Sequence, residues 1–245
     1  MIKISVENYS YQNKEPVIKN INITLKEGKI TSLIGASGCG KSTFLRVLMG
    51  METGATGQIE FKNQDFSFQK WNIKQKLFSM IPQVPHLLPW KNILNNIIIA
   101  ISNEKVNKEQ KSKEEIALNA LKVVQLENHR NKFPDEISLG MAQRVSFARA
   151  LVLDTQAVLL DEPFASLDAH TRYILQEWLA NKILETNKYA ILVTHDVREA
   201  LFLSEEIHVL KGIPSEINKT FYNENKNKKS NIKTEKEIIS LIGIN

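Results

Sequence analysis

Residues Gly35–Thr43 read GASGCGKST, and this stretch decides the fold. A run of apolar and small residues, Lys29–Ile34 (KITSLI), precedes it, and in the FLRVLMG that follows, Phe44, Leu45, Val47 and Leu48 fall at helical spacing. The order is strand, glycine loop, helix. Gly35, Gly38 and Gly40 allow the loop to curl so that consecutive backbone N–H groups point inward, and the helix behind it adds the positive end of its dipole. Such a loop holds a polyphosphate. Gly35, Ala36, Ser37, Gly38, Cys39, Gly40, Lys41, Ser42 and Thr43 together form the candidate set. Lys41 supplies a point charge for β- and γ-phosphates, and the Ser42 hydroxyl is placed to ligate Mg²⁺. The full G-x-x-x-x-G-K-S pattern is far more specific than a lone pair of glycines.

The chain of 245 residues is long enough for one large α/β domain with an inserted subdomain. Hydrophobic residues make up 42% and charged residues 24%, which is ordinary for a soluble globular protein. No apolar stretch approaches the roughly 18–20 residues of a membrane span, and the first residues show no basic-then-apolar leader. A cytoplasmic location is expected. Cys39 is the only cysteine, which excludes an intrachain disulfide and a cysteine-cluster metal site. The net charge of +5 is concentrated in two lysine-rich stretches, Glu104–Lys113 and Lys226–Lys236, which read as a solvated helix face and a loose tail. The basic balance therefore gives no reason to expect a nucleic-acid partner.

Ile2–Val6 and Ile21–Leu25 alternate as half-buried strands, joined by the turn-rich NYSYQNKEPV. Tyr11 lies on that connection, where an aromatic either stacks on a base or packs on the sheet edge; spacing alone leaves both readings open. Residues Lys62–Lys76 show no clear period. An apolar run then ends at Gln83, either a loop residue or a reach toward a metal or water. From about Val84 to Arg149 the pattern is mainly helical, and Ser138 caps the helix that carries Ala142, Val145 and Phe147. The apolar strand AVLL ends in Asp161 and Glu162, two adjacent carboxylates that are costly there unless they meet cations or water. In a phosphate-loop protein Asp161 would hold the Mg²⁺ shell and Glu162 would polarise an attacking water. A second apolar strand, YAILVT, ends beside His195, which is either structural or a contact for the γ-phosphate.

In this order the motifs resemble the ATP-binding subunit of an ABC transporter, over about Ile2 to Leu210. The phosphate loop at Gly35–Thr43, the glutamine loop at Gln83, the acidic pair within Leu159–Pro163, the D-loop Ser166–Leu167–Asp168 and the switch His195 all match that family, as does Tyr11 as the aromatic on adenine. The resemblance implies an α/β P-loop core with an N-terminal antiparallel β subdomain and an inserted helical subdomain. It implies one ATP-binding domain over residues 1–210, with the insertion at about 84–149 and a polar tail at 211–245. ATP and Mg²⁺ are the implied cofactors, with Ser42, Gln83 and Asp161 around the metal and Glu162, His195 and Lys41 as catalytic groups. Family members pair head to tail, which puts Ser138, Gly140 and Asp168 against the partner's ATP.

One motif departs from the pattern. The family's Leu-Ser-Gly-Gly-Gln signature is here Ile137–Ser138–Leu139–Gly140–Met141, so Leu139 replaces the first glycine. A side chain there is expected to crowd the partner's phosphate and to restrict the backbone to negative φ. Either the loop accommodates it, or the natural partner is a different ATPase chain with an intact signature. HLLPWKNILNNI, DEPFASLDAHTR and VTHDVREALFLSEEI resemble the importer branch for nitrate, taurine and sulfonates. That branch implies membrane permease subunits, a second ATPase subunit, an extracytoplasmic substrate-binding protein and a peripheral place on the cytoplasmic face of the inner membrane. The rival reading is a soluble ABC ATPase without a membrane partner, such as the cluster-assembly type.

Overall fold

The computed structural model describes residues 1–12, 15–72, 75–102, 112–223 and 232–243. Strands β3 (Ile30–Ile34), β7 (Ala157–Asp161) and β8 (Tyr189–Thr194) are buried at every position. Continuous apolar runs of this kind suit the middle of a parallel sheet covered on both faces. They lie in a six-stranded sheet of order β10-β9-β3-β8-β7-β6, with β6 at Phe78–Ile81, β9 at Glu206–Lys211 and β10 at Glu216–Tyr222. All its neighbours pair in parallel except β10, which runs antiparallel to β9. The register sets Ile34 opposite Thr194 and Asp161 opposite Val193, so the carboxyl ends of β3, β7 and β8 share one edge. Ligands of open α/β sheets bind at that edge.

A second, antiparallel sheet has the order β2-β1-β4-β5, with β1 at Ile2–Ser10, β2 at Pro16–Leu25, β4 at Thr56–Phe61 and β5 at Gln64–Ser67. Ile2, Ile4 and Val6 are buried while Lys3 is exposed, the alternation expected of a sheet with one wet face. The inner face packs with helix α1 (Lys41–Leu48), whose Phe44, Leu45, Val47 and Leu48 share a core with it. Helices α2 (Ile93–Ser102), α3 (Lys113–Val123) and α4 (Leu139–Leu151) fill the region read as a helical insertion, and α5 (Ala169–Glu185) and α6 (Val197–Leu203) complete the parallel layer. No helix among the described residues is long and apolar enough to cross a membrane.

Three stretches differ from the sequence reading. The ends of NYSYQNKEPV, Asn8–Ser10 and Pro16–Val17, are strand, because polar residues occupy the exposed side of β1 and β2. The aperiodic Lys62–Lys76 contains β5 and a 3-10 turn at Phe68–Lys70, anchored by Trp71, whose Nε1 donates to the Leu48 carbonyl at 2.7 Å. The segment 211–245 is more than a polar tail. Its β10 extends the main sheet through backbone bonds that polar side chains permit, and the buried Ser215 hydroxyl donates to the Cys39 carbonyl in the glycine loop. Helix α7 (Ile232–Ile242) sets Ile238 and Ile242, four residues apart, against Ile34, Val197, Leu201, Ile207 and Val209. Residues 104–111 and 226–231 of the two lysine-rich stretches lie outside the described residues.

Ile238 is fully buried, so truncating it leaves a cavity between α7 and the sheet. Ile238→Ala is expected to lower unfolding stability by about 2–5 kcal/mol in urea titration. A midpoint unchanged from the parent would show that α7 contributes no packing.

Candidate nucleotide site

The glycine loop leaves β3 at Gly35 and returns into α1. Gly38 has φ 79° and Gly40 φ 97°, both in the left-handed region that favours glycine. Gly35 is required for a different reason: a Cβ there would lie 2.8 Å from the Leu210 carbonyl oxygen and 2.9 Å from Cys39 Sγ. Lys41 is 5% exposed, and its ammonium donates to the carbonyls of Gly35 at 2.8 Å and Ala36 at 2.9 Å. The charge is thus held beneath the arch of the loop.

Asp161, at the end of β7, is nearly as buried. The Ser42 hydroxyl donates to its Oδ1 at 2.9 Å, joining the first turn of α1 to the second strand away. Burial pushes the Asp161 carboxyl above its ordinary pKa; the Ser42 bond, Arg46 and Lys41 pull it back, and neighbouring Glu162 pushes it up again. Glu162 takes φ 45°, a left-handed conformation that is uncommon for a non-glycine residue, and its N–H donates to the Val193 carbonyl at 2.9 Å. That strained turn aims its carboxylate between two partners. Gln83 Nε2 donates to Glu162 Oε2 at 3.1 Å, and His195 Nδ1 lies 3.2 Å from Glu162 Oε1. Gln83, Asp161, Glu162 and His195, distant in sequence, therefore converge beside Ser42 and Lys41.

The remaining candidates divide. Tyr11 is half-buried beside the loop, its hydroxyl 3.1 Å from Thr43 Oγ1 and its ring edge-on to Tyr9 at 5.0 Å between centroids. Ser138 caps α4 by accepting from the Met141 N–H at 3.2 Å, and Asp168 caps α5 by accepting from the Thr171 N–H at 3.0 Å. Hydrogen bonds at that cap, the Thr171 N–H first, hold the Asp168 carboxyl below its usual range. A Cβ on Gly140 would lie 3.5 Å from Leu167 Cδ2 and 3.7 Å from the Ser166 carbonyl, so the start of α4 packs on the Ser166–Asp168 loop. Leu139 is 59% exposed in the first helical turn. Neither it nor Gly140 has a positive φ, so the expected backbone conflict does not arise within this chain.

The family described as ABC transporter matches residues 18–165. The chain belongs to the ABC transporter family. Its activity is ATP hydrolysis coupled to transport. It is 39% identical over 207 residues to an aliphatic sulfonates import ATP-binding protein of Bacillus thuringiensis, covering 84% of this chain and 78% of that one. It is 36% identical over 206 residues to the protein of the same name from Bacillus subtilis (strain 168), covering 84% and 77%. A dimeric ATP-binding cassette solved in a post-hydrolysis state with ADP and Pi superposes with a TM-score of 0.80 at 27% identity, over 92% of this chain and all of that one.

Several residues that support this ABC site were not singled out by the sequence. Glu52 accepts from the Tyr9 hydroxyl at 2.8 Å and lies 3.7 Å from Arg46, bracing the Tyr11 corner. Buried Gln143 on α4 donates to the Pro82 carbonyl at 2.9 Å, fixing the backbone next to Gln83. Asn96 accepts from the Leu88 N–H and donates to the carbonyls of Leu88, Lys91 and Asn92, which shapes the loop that leaves Trp90 68% exposed. An Asn in an apolar helix was the one available signal, since its amide must find partners when buried.

Gly35→Ala is expected to destabilise the fold by about 1–3 kcal/mol through overpacking. Adding Cys39→Ala relieves the sulfur contact but not the Leu210 carbonyl, so only part of the loss should return. Thermal melts of the two variants check this; full recovery would place the conflict at the sulfur alone.

Proposed function

We propose that the chain is the ATP-hydrolysing subunit of an importer that takes up an aliphatic sulfonate or a similar small organic anion. The observation that carries the reading is the meeting of Lys41, Asp161, Glu162 and His195 at one sheet edge. The relatives named as aliphatic sulfonates import proteins support the cargo class. Residues 1–210 form the ATP-binding domain with its insertion at about 84–149, and the segment from 211 onward is packed into the same unit.

The loop N–H groups and the Lys41 ammonium bind the triphosphate, and Tyr11 stacks on the adenine. Ser42 and Asp161 offer hard oxygen ligands, and a buried carboxylate whose charge is penalised by burial suits a cation, so the donor set fits Mg²⁺, with Gln83 close by. When bound, that ion neutralises charge on the β- and γ-phosphates. Glu162 orients a water and accepts its proton as the water attacks the γ-phosphorus in line, and the products are ADP and phosphate. His195 holds Glu162 on one side and the γ-phosphate on the other. Positioning and preorganised charge account for most of the rate.

Two cassettes act head to tail, with Ser138, Gly140 and Asp168 reaching the partner's ATP. Closure of that pair moves a membrane permease docked on the Val84–Trp90 loop, next to Gln83. The chain is peripheral to the cytoplasmic face of the inner membrane, and an extracytoplasmic binding protein selects the cargo. Leu139 stands exposed where the family signature has glycine, which favours a second ATPase chain with glycine at that position.

Glu162→Gln should keep ATP binding, lower turnover by about 10²–10⁴-fold and accumulate a closed dimer visible by light scattering. Hydrolysis at the parent rate would remove Glu162 as the base. Isolation of the tagged chain from native membranes in mild detergent should recover a polytopic permease and a second ATPase chain with an intact signature; recovery from the soluble fraction alone would overturn the importer reading.

A further inference from the structure

The glycine loop is held from outside by a part of the chain that the mechanism above does not use. A turn at residues 212–214 joins β9 to β10, and buried Ser215 follows it. The Ser215 N–H donates to the Val17 carbonyl at 2.8 Å, and the Ser215 carbonyl accepts from the Lys19 N–H at 3.0 Å, which makes a parallel bridge opposite Ile18. Next to it, Glu216 Oε1 lies 3.8 Å from Lys19 Nζ. The backbone of Ser215 is thus fixed against β2 of the antiparallel sheet, while β10 runs on into the parallel one. From this junction the Ser215 hydroxyl donates to the Cys39 carbonyl.

That bond decides which way one peptide of the loop faces. Four carbonyls of residues 35–40 have partners: Gly35 and Ala36 accept from the Lys41 ammonium, Gly40 accepts from the Phe44 N–H at 2.9 Å, and Cys39 accepts from Ser215. Of these donors, Ser215 alone lies outside the loop and the first turn of α1. The Cys39–Gly40 peptide is trans, so its N–H points opposite to its carbonyl. A carbonyl held by Ser215 therefore turns the Gly40 N–H away from the β9–β10 turn. Packing closes the same side, since a Cβ on Gly40 would lie 3.2 Å from Val17 Cγ1, 3.3 Å from the Val17 carbonyl oxygen and 3.6 Å from Ser215 Oγ. Glycine at φ 97° resists rotation little by itself, so the orientation of this peptide has to be held by a neighbour.

We infer that Ser215 is a positioning residue for the nucleotide: its hydroxyl keeps the Cys39 carbonyl out of the phosphate cradle, so that the Gly40 N–H stays turned toward the bound phosphates. The inference rests on the reading of Gly35–Thr43 as the triphosphate site. Ser215 itself touches no phosphate. Without its hydroxyl the Cys39 carbonyl is left buried and unpaired, and rotation of the peptide puts a partly negative oxygen where the phosphate needs a donor. The loop N–H groups hold the nucleotide before and during the reaction alike, so the loss falls on KM and leaves kcat in place.

Ser215→Ala removes the hydroxyl at nearly constant volume. In the full chain, ADP affinity read by titration calorimetry is expected to fall about tenfold and KM for ATP to rise by a similar factor, with kcat within about twofold of the parent. Both are measured well below the melting midpoints of the two chains. Ser215→Thr keeps the hydroxyl and should bind ADP within about twofold of the parent. Ile217→Ala, which trims a partly buried contact of β10 with the core, should lower the melting midpoint and leave ADP affinity and KM unchanged. Parent-like ADP affinity and KM in Ser215→Ala overturn the inference, and so does a loss confined to kcat. Weakening of equal size in Ser215→Thr or Ile217→Ala also overturns it, by assigning the effect to loosened packing of the β9–β10 turn. A parent chain that binds no ADP removes the triphosphate reading and this inference together, whereas a parent that binds it beside an unaffected Ser215→Ala removes the inference alone.

Discussion

A carboxylate at the end of a wholly apolar strand must be solvated by the protein itself, and the Ser42–Asp161 bond meets that demand. Much else depends on it. Ser42 belongs to α1, which follows β3, whereas Asp161 ends β7, and β8 lies between those strands. The bond therefore fixes how α1 crosses the sheet. With α1 in place, Lys41 is buried under the loop, Phe44 and Leu48 enter the core shared with the antiparallel sheet, and Arg46 reaches Glu52. The same contact that makes Asp161 tolerable thereby aligns the phosphate loop, the acidic pair and the second sheet.

The parts of this arrangement visible in the sequence are those in which one local pattern has one physical meaning. GASGCGKST between an apolar run and a helix admits few other readings, and the all-apolar strands ending in Asp161 and near His195 mark the edge of a parallel sheet. What sequence could not supply was the third-dimensional partner. Gln83 reads as a loop residue until β6 pairs with β7 and brings it to Glu162. Ser138 is legible as a helix cap, and it is one; Asp168, read only through its D-loop match, is a cap as well.

Apolar IISLIGI is legible as the terminal helix that α7 supplies, but the strand β10 was hidden for another reason. β10 has no apolar alternation because its side chains are mostly exposed, so its membership of the sheet rests on backbone pairing, which leaves no trace in composition. The lone buried Ser215 that reaches the glycine loop is equally silent in the sequence. Leu139 shows the converse case. A substitution that looks disruptive by motif is benign to the chain's own backbone, because the first turn of α4 accepts any L-residue at ordinary helical φ.

The antiparallel return of β10 along β9 has a consequence for how the protein avoids its own copies. Without it, β9 would present an apolar, parallel-sheet edge with unpaired N–H and C=O groups, a template for intermolecular strand addition. β10 replaces that edge with one carrying Glu216 and Lys219, each engaged in an ion pair, with Lys19 and Glu237 respectively. At the opposite side the sheet stops with β6, only four residues long. Fragments that end before β10, whether made by proteolysis or by interrupted synthesis, would carry a complete phosphate loop on a sheet with an open, sticky border.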